Sequence, residues 1–592
     1  MFRRLGIVSV HESSVCVRRG VRSGPARGVF RCPHEHTVDV HHGQSLSSVV
    51  LQAGPASRRS WPGVLIVCGL CAGAMMALAG GCSPEYHKAK ADEEVYGILK
   101  SKWKDDFGQM ANYRVSDTTP TAADIAEVIP PSRVLSLAQA VAIATQYSRD
   151  YQSQKESLYL SALDLTLTRY QYARQWFGTI DATYTSQNGD EETLLDAQTG
   201  VNQDFLLGDG IQVGAGLAID WARFLTGDPR TSLGSVLSAS AAAPLLGAGA
   251  GRVARENLTQ AERNVLYRIR SFNRYRQTYV VSIISDYYRV LQQRNSVDIQ
   301  QASYGRLIAS TNQLRMEVKV GQRPAYDLGE AEQRLLSAEQ SLVQARQRYA
   351  QVLDSYKIRL ALPTDANVAL DPNELRALEQ AGIPPLEYSE EDAIRIALDR
   401  RLDLANTRDG LDDVERKLIL AAEGLGVQLD LTAGANVDST PDTQLTRLRF
   451  HEGTYSLGLA ADLPFNRKAQ RNAYGEALIA VQQQQRGYDE QIDLVKLNVR
   501  NAYRTLAETA ESYRIQRLGL KLAQRRVQVE KLSLQYGRGT VRLLLDSENA
   551  LVQAQNDVLG ALVDHLIAKL SFFRDVGVLQ VRPDGMWEQK TI

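Results

Sequence analysis

The sequence predicts a mainly α-helical protein with a smaller membrane β region, built as a duplicated helix–strand–strand–helix–helix unit. Three observations predict this. Segments of the two halves match, since Tyr288-Arg289 corresponds to Tyr503-Arg504 and residues 321–335 correspond to 537–551. Each half contains a helical stretch of about 70 residues, far beyond the usual length of a globular helix. Each half also contains segments in which apolar residues alternate with polar or small ones, a period typical of strands.

Composition narrows the class of protein. The chain has 592 residues with 68 basic and 68 acidic side chains, so it lacks the net positive charge that is typical of nucleic-acid-binding proteins. Its five cysteines all lie within the first 82 residues. Neither a disulfide framework nor a cysteine-ligated metal site is therefore available after Cys82.

The N-terminal region predicts export. Residues 63–79 form an uncharged, mostly apolar run, preceded by Arg58-Arg59 and followed by Gly80-Gly81-Cys82, the organisation of a signal peptide. The last four residues of this region, Ala79 to Cys82, resemble a bacterial lipobox, which implies cleavage before Cys82 and acylation of its thiol. The alternative is a plain signal or anchor with an incidental cysteine. Residues 1–81 are thus assigned as signal with an N-terminal extension, and 82–134 as a polar, lipid-anchored tether with a short helix.

The first repeat is predicted over 135–363. A helix runs from Leu137 to Ala173, with Ser136 as its N-cap. Strands follow within about 178–243, as segments at 178–185, 210–221 and 233–243. This region is longer than two strands require and 208–210 supplies a hairpin turn, so an additional hairpin is expected. A proline-free helix then runs from Arg252 to Val320, with a break at 321–324 and a helix from Ala325 to Leu362. Residues 364–389, rich in proline, form a linker.

The second repeat is predicted over 390–579 in the same order. Its elements are a helix from Glu390 to Glu423, strands within about 427–464, a long helix from Arg467 to Tyr536, a break at 537–539 and a helix from Val541 to Arg574. Residues 580–592 are assigned as a C-terminal tail.

Helix lengths and spacing predict lateral packing. The long helix of the first repeat, about 69 residues or about 100 Å at 1.5 Å per residue, equals its two shorter helices placed end to end. Apolar and small residues recur at alternating spacings of three and four along the returning helices, as in a coiled-coil seam. An ordinary antiparallel coiled coil would explain the helices but not the strands.

The strand segments have the length and period of transmembrane β-strands. Ile211 to Ile219 and Val427 to Ala435 alternate apolar residues with mostly polar or small ones. Trp176 and Trp221 lie at strand ends, where an aromatic belt would place them. Half-buried strands of a soluble protein share this period.

Together these features resemble the TolC-type outer-membrane factor family, lipoprotein type. The resemblance covers about residues 135–579 and is strongest at the two helix–helix turns, 320–335 and 536–551. It implies a homotrimer in which each protomer gives four strands to a 12-stranded β-barrel, continuous with a long periplasmic α-helical barrel. It further implies an outer-membrane location and the exit channel of a tripartite efflux or type I secretion system. The implied partners are a periplasmic adaptor, an inner-membrane pump of the RND or ABC class, and outer-membrane lipid.

The resemblance also implies site residues, at the turns that form the closed periplasmic tip. Asp327 matches an aspartate that takes part in links between protomers, and Asp546 matches an aspartate whose three copies ring the constriction. The family's outer aspartate is Leu543 here and its pairing arginine is Gly539, so Arg538 and Arg542 are the candidates to replace that arginine. Contacts with the adaptor are expected at Gly321, Gln322, Arg323, Gly537 and Thr540. The alternative for both aspartates is stabilisation of a helix N-terminus.

No residue pattern in the sequence predicts an enzyme. The glycines at 247, 249 and 251 lack a phosphate-loop fingerprint, and the corresponding junction at 465–468 has none. The three histidines after Cys82 have no metal-ligand spacing, and no nucleophile–base set shares an element. The sequence therefore predicts neither cofactor nor metal. The competing function is a lipid-anchored coiled-coil spacer without a pore, which has no use for duplicated alternating strands.

Overall fold

A computed structural model describes residues 83–589 of the chain, apart from 105–106, 111, 117–127, 174, 188–189, 208–210, 225–230, 247–249, 385–387, 440–446, 464 and 583–585. The predicted export signal and Cys82 lie outside these described residues.

The helices of the described chain are α1 (Pro84–Lys102), α2 (Leu137–Tyr147), α3 (Arg149–Gln171), α4 (Ala250–Lys319), α5 (Ala325–Arg359), α6 (Asn373–Ala381), α7 (Glu390–Arg400), α8 (Leu402–Glu423), α9 (Lys468–Gln535) and α10 (Val541–Val576). The long helices α4 and α9 contain 70 and 68 residues and confirm the prediction to within two residues at each end. Within the described residues, no helix is both long and apolar enough to cross a lipid bilayer.

Two helices that the sequence predicts as continuous are each broken once. Ser148 separates α2 from α3, and Arg401 separates α7 from α8, so the predictions of single helices over 137–173 and 390–423 were wrong at these points. Both residues have extended backbone, with ψ of 134° and 119°. Both are also buried and are neither glycine nor proline. Tertiary packing therefore sets the two breaks.

The strands are β1 (Val134–Leu135), β2 (Gln175–Gln187), β3 (Asp190–Leu207), β4 (Ile211–Phe224), β5 (Thr231–Leu246), β6 (Ala369–Leu370), β7 (Gln428–Asp438), β8 (Thr454–Asp462), β9 (Leu579–Val581) and β10 (Trp587–Gln589). The main sheet has six strands in the order β2-β3-β4-β5-β7-β8, and every neighbouring pair is antiparallel.

The first repeat contributes four strands to this sheet, two more than the resemblance requires, so the additional hairpin expected in this region is present. The additional hairpin, β2–β3, pairs along its length with β4, from Leu194↔Phe224 to Leu207↔Ile211. The sheet of each chain therefore has six strands, which are the four that the resemblance implies and this hairpin. The sequence signal was weak because β3 is rich in acidic and amide residues, which obscure its alternation.

Helices α3 and α4 pack around a cluster of aromatic residues. Tyr151 contacts Phe272 and Tyr279 with ring centroids 5.8 and 5.3 Å apart, and Tyr275 stacks on Tyr279 at 5.6 Å. Tyr151 and Phe272 are fully buried, so these contacts anchor the middle of the helical body.

The segment after Ser83 is more ordered than the predicted polar tether. Helix α1 begins at Pro84 and buries Val95, Ile98 and Leu99 in the main core. Tyr159 of α3 donates a hydrogen bond of 2.7 Å to Asp92. The three apolar residues, spaced along one face, explain why this stretch packs on the body.

Two small sheets border the helical body. β1 and β6 pair in parallel, with Val134 opposite Ala369, so the linker predicted over 364–389 is joined to the start of the first repeat. β9 and β10 form an antiparallel pair, with Trp587 opposite Val581, within the segment predicted as a tail.

Candidate functional site

The two helix–helix turns have the same backbone geometry. Gly321 and Gly537 lie in the left-handed region with φ of +78° and +70°. After each, the next amide donates to a carbonyl five residues back, Gln322 to Glu317 at 2.9 Å and Arg538 to Ser533 at 2.9 Å. These hydrogen bonds, with Gly321 N–H to Val318 O, form a Schellman termination that favours glycine. The duplicated breaks predicted from the sequence are therefore duplicated helix caps.

Asp546 is paired within the chain. Arg334 of α5 donates to Asp546 of α10 at 2.6 Å, and the guanidinium of Arg542 lies 4.0 Å from both Asp546 and Glu330. Asp546 is in the second turn of α10, whose first turn carries no acidic residue. Stabilisation of the helix N-terminus therefore explains Asp546 poorly. The sequence did not identify Arg334 or Glu330 because their partners lie on the other repeat.

Asp327 has a different setting. It is in the first turn of α5 and is 8 % exposed. Within one chain, Arg542 lies beside Glu330 and Arg538 is exposed, so neither of the two arginines suggested as its partner contacts Asp327 of the same chain. Its position does fit stabilisation of a helix N-terminus. A link from Asp327 to another protomer remains a prediction.

The expected adaptor-contact residues divide into two groups. Arg323 donates to the Leu534 carbonyl at 3.1 Å and lies 3.4 Å from Glu317, so it ties the first turn to the end of α9. Thr540 accepts a hydrogen bond from the Leu543 amide at 3.3 Å and caps α10. Gly321, Gln322 and Gly537 are exposed at the turns.

The turns also expose apolar side chains that the sequence reasoning missed. Tyr326 and Tyr536 are 73 % and 78 % exposed, and Val320 is similarly open. Each adjoins one of the two turns. Apolar residues next to a helix-terminating glycine were the available signal, since such side chains usually find a partner surface.

The sheet has one apolar and one small, polar face. Leu217, Leu237 and Val437 are register partners across three strands, and Leu431 is opposite Leu459. On the other face Ser240, Gly434 and Ser456 form a row. Leu457 and Leu459 of β8 are 79 % and 65 % exposed, so the apolar face is open at this edge.

The helices carry a second set of exposed apolar side chains. Those on α9 are Leu478, Ile479, Leu494, Leu497, Ile515, Leu518, Leu522, Val529 and Leu532. Helix α5 adds Leu336, Val343 and Ile358. In contrast, the seam predicted along α10 is covered: Ser547, Ala561, His565, Ala568 and Phe572 are buried, and Leu551, Ala554 and Val558 are half-buried. The seam therefore packs within one chain, while α9 and α5 retain apolar surface along their length.

Within the described part of the chain, no group of three or more His, Cys, Asp or Glu side chains is placed to hold a metal ion. Acylation of Cys82 remains a prediction.

No protein-family model matches the chain. A search of curated proteins also found no match. Solved structures do match. CusC, whose structures concern transmembrane channel formation, is 15 % identical with a TM-score of 0.54, covering 74 % of this chain and 92 % of CusC. VceC, an outer-membrane protein of Vibrio cholerae, is 12 % identical with a TM-score of 0.53, covering 77 % and 99 %. The MtrE outer-membrane channel of Neisseria gonorrhoeae is 12 % identical with a TM-score of 0.54, covering 74 % and 88 %.

These matches show that the chain shares the fold of outer-membrane channel proteins across most of its length. The fold predicted from the TolC-type resemblance is therefore confirmed.

Proposed function

We propose that the protein is the outer-membrane exit channel of a tripartite efflux or type I secretion system. It acts as a passive duct, not an enzyme. Three copies form the duct, anchored through Cys82 and extending into the periplasm, with an adaptor and an RND or ABC pump at the tip. The observation that carries this proposal is the sheet, whose apolar face is open along β8 and whose opposite face is small and polar. That division suits strands with lipid on one side and water on the other.

The trimer is supported by surfaces that a single chain leaves open. Among the strands that the structure describes, β2 and β8 are the edges of the main sheet, and no neighbouring strand pairs with their outer backbone groups. Edges of this kind are satisfied when β8 of one copy pairs with β2 of the next. The exposed apolar residues of α9 and α5 would form the contact between the helices of neighbouring copies. Three six-stranded sheets would close with eighteen strands, where the resemblance implied twelve.

The residues at the two helix–helix turns, which would form the tip, support the proposal of a gate. In the closed trimer, three Asp546 carboxylates would surround the axis, each held by its own Arg334. The adaptor would engage the exposed Tyr326 and Tyr536 together with Gln322, which lie beside the two turns. The spacer alternative gives no account of the open apolar sheet face.

The charge at the constriction can be tested with Arg334→Ala. We expect this variant to raise the preference for cations about twofold or more, because Asp546 then loses its nearest counter-charge. Asp546→Ala should lower that preference. Both partners are about two-fifths exposed, so the pair stabilises the fold by only about 0–1 kcal/mol and the variants should fold.

The measurement is the reversal potential of single channels in a KCl gradient. Arg315→Ala is the matched control, since Arg315 forms a similarly exposed pair with Glu332 at 2.9 Å between α4 and α5. An unchanged reversal potential in both Asp546→Ala and Arg334→Ala would place the constriction elsewhere.

A further inference from the structure

An arginine-lined cavity lies away from both the tip and the main sheet. It has a volume of about 380 Å³ and is partly enclosed. Its walls come from residues 107–108, the middle of α4, the α7–α8 junction and the segment 577–581. Four guanidinium groups line it, those of Arg270, Arg276, Arg400 and Arg401. One carboxylate, Asp399, shares the lining.

Two of these arginines are almost completely buried and keep a donor unused. Arg276 is 2 % exposed and donates to the Gln109 carbonyl at 2.8 Å, to Asn273 Oδ1 at 3.0 Å and to the Val581 carbonyl at 3.4 Å. Its Nε has no partner among the described residues. Arg401 is 5 % exposed and pairs with Asp403 through Nε and Nη2, leaving Nη1 without a partner there.

The other two arginines add to this set. Arg270 is paired with Asp409, yet its Nε is buried and unpartnered within the described chain. Arg400 forms no ion pair with any described residue, and its Nη1 is likewise buried without a partner. A buried donor without an acceptor is unfavourable, and all four such nitrogens belong to side chains that line this one cavity.

The local electrostatics favour an anion. Burial lowers the pKa of the Arg276 guanidinium, which has no carboxylate among its hydrogen-bond partners. Burial acts to raise the pKa of Asp403, but hydrogen bonding and charge from Arg401 hold it below its usual value. The Asp403 carboxylate is therefore already neutralised by Arg401. The N-terminus of α8 also borders the cavity through Leu402 and Ala405, and helix N-termini attract anions.

The arginines do not belong to the duplicated scaffold. In the alignment of the two repeats, Arg400 and Arg401 correspond to Tyr147 and Ser148. Arg270 and Arg276 of α4 correspond to Gln485 and Gln491 of α9. The corresponding helix break of the first repeat, at Ser148, therefore has no charged side chain at these two positions. The cationic cavity occurs at only one of the two equivalent places in the described fold.

We propose that this cavity binds a phosphate-type oxyanion, whose oxygens accept from the guanidinium groups that line it and join α4 to the α7–α8 junction and the C-terminal segment. Planar guanidinium groups match tetrahedral phosphate oxygens and form short, charge-assisted hydrogen bonds with them. The cavity has room for phosphate with ordered water or for a phosphomonoester. The site is independent of the proposed channel role, because it needs neither the trimer nor the pore.

The test is thermal unfolding of the purified protein titrated with inorganic phosphate against sodium chloride at equal ionic strength. A ligand that binds only the folded state raises the unfolding temperature with its concentration. We expect this rise in the wild type. Arg400→Gln should weaken phosphate binding about tenfold, the effect of losing one charge-assisted hydrogen bond. Arg395→Gln, an equal change of charge on the exposed face of α7, should leave binding unchanged.

If Arg400→Gln does not fold, Arg401→Met on the buried side of the cavity replaces it, with phosphate binding read by isothermal titration calorimetry. Vesicles containing phosphatidic acid, compared with phosphatidylcholine alone, distinguish a lipid headgroup from free phosphate as the source. The site is supported if free phosphate or phosphatidic acid binds the wild type and Arg395→Gln but does not bind the cavity variant. Absence of binding in both arms, or equal binding by all variants, overturns it.

Discussion

Leu457→Arg should prevent stable insertion of the protein into lipid. Leu457 lies near the middle of β8, is 79 % exposed and is opposite Ala433 on the apolar face of the sheet. An arginine facing lipid near the bilayer midplane costs about 2–4 kcal/mol per chain, and a trimer carries this cost three times. We expect the variant to be lost from the outer-membrane fraction and to become sensitive to protease.

The matched control is Ser456→Arg on the same strand. Ser456 lies on the opposite face, in the row with Ser240 and Gly434. An arginine there would face water in the proposed duct, so insertion should be retained. If both variants insert equally well, the apolar face does not face lipid and the channel proposal loses its main support.

Deleting residues 175–208, which removes the β2–β3 hairpin, should narrow the wide end of the duct. The sheet of each chain would fall from six strands to four, and the closed sheet of three copies from eighteen to twelve. Because the diameter of a closed sheet grows roughly linearly with strand number, its cross-section should fall by about half.

The measurement is the size of the largest polyethylene glycol that reduces conductance when added on the strand side of the membrane. That readout is independent of the tip. We expect a smaller cut-off for the deletion, with the trimeric mass unchanged by mass photometry. An unchanged cut-off would mean that the hairpin lies outside the wall of the duct.

The helices were predictable from the sequence because their signals are local. Periodic apolar residues and a glycine at each turn placed α4, α5, α9 and α10 to within a few residues. The breaks at Ser148 and Arg401 were not predictable, since buried tertiary contacts impose them on residues without glycine or proline character. An additional hairpin was expected, but strand β3 was not located because its acidic residues obscure the period of two.

The residues at the helix–helix turns were only partly predictable, because some of their partners are distant in the sequence. The resemblance identified Asp546 at the turn, and the structure adds Arg334, a partner 212 positions away on the other repeat. Pairs between repeats leave no pattern in a single sequence. The exposed Tyr326 and Tyr536 were also missed, because exposure at a turn depends on how the flanking helices pack.

Single-channel conductance of the acylated protein in planar bilayers, with mass photometry on the same sample, distinguishes a trimeric channel from a spacer without a pore. We expect a mass three times that of the processed chain and discrete conducting events with a preference for cations. A monomer that never conducts would contradict the channel proposal and would favour the lipid-anchored spacer.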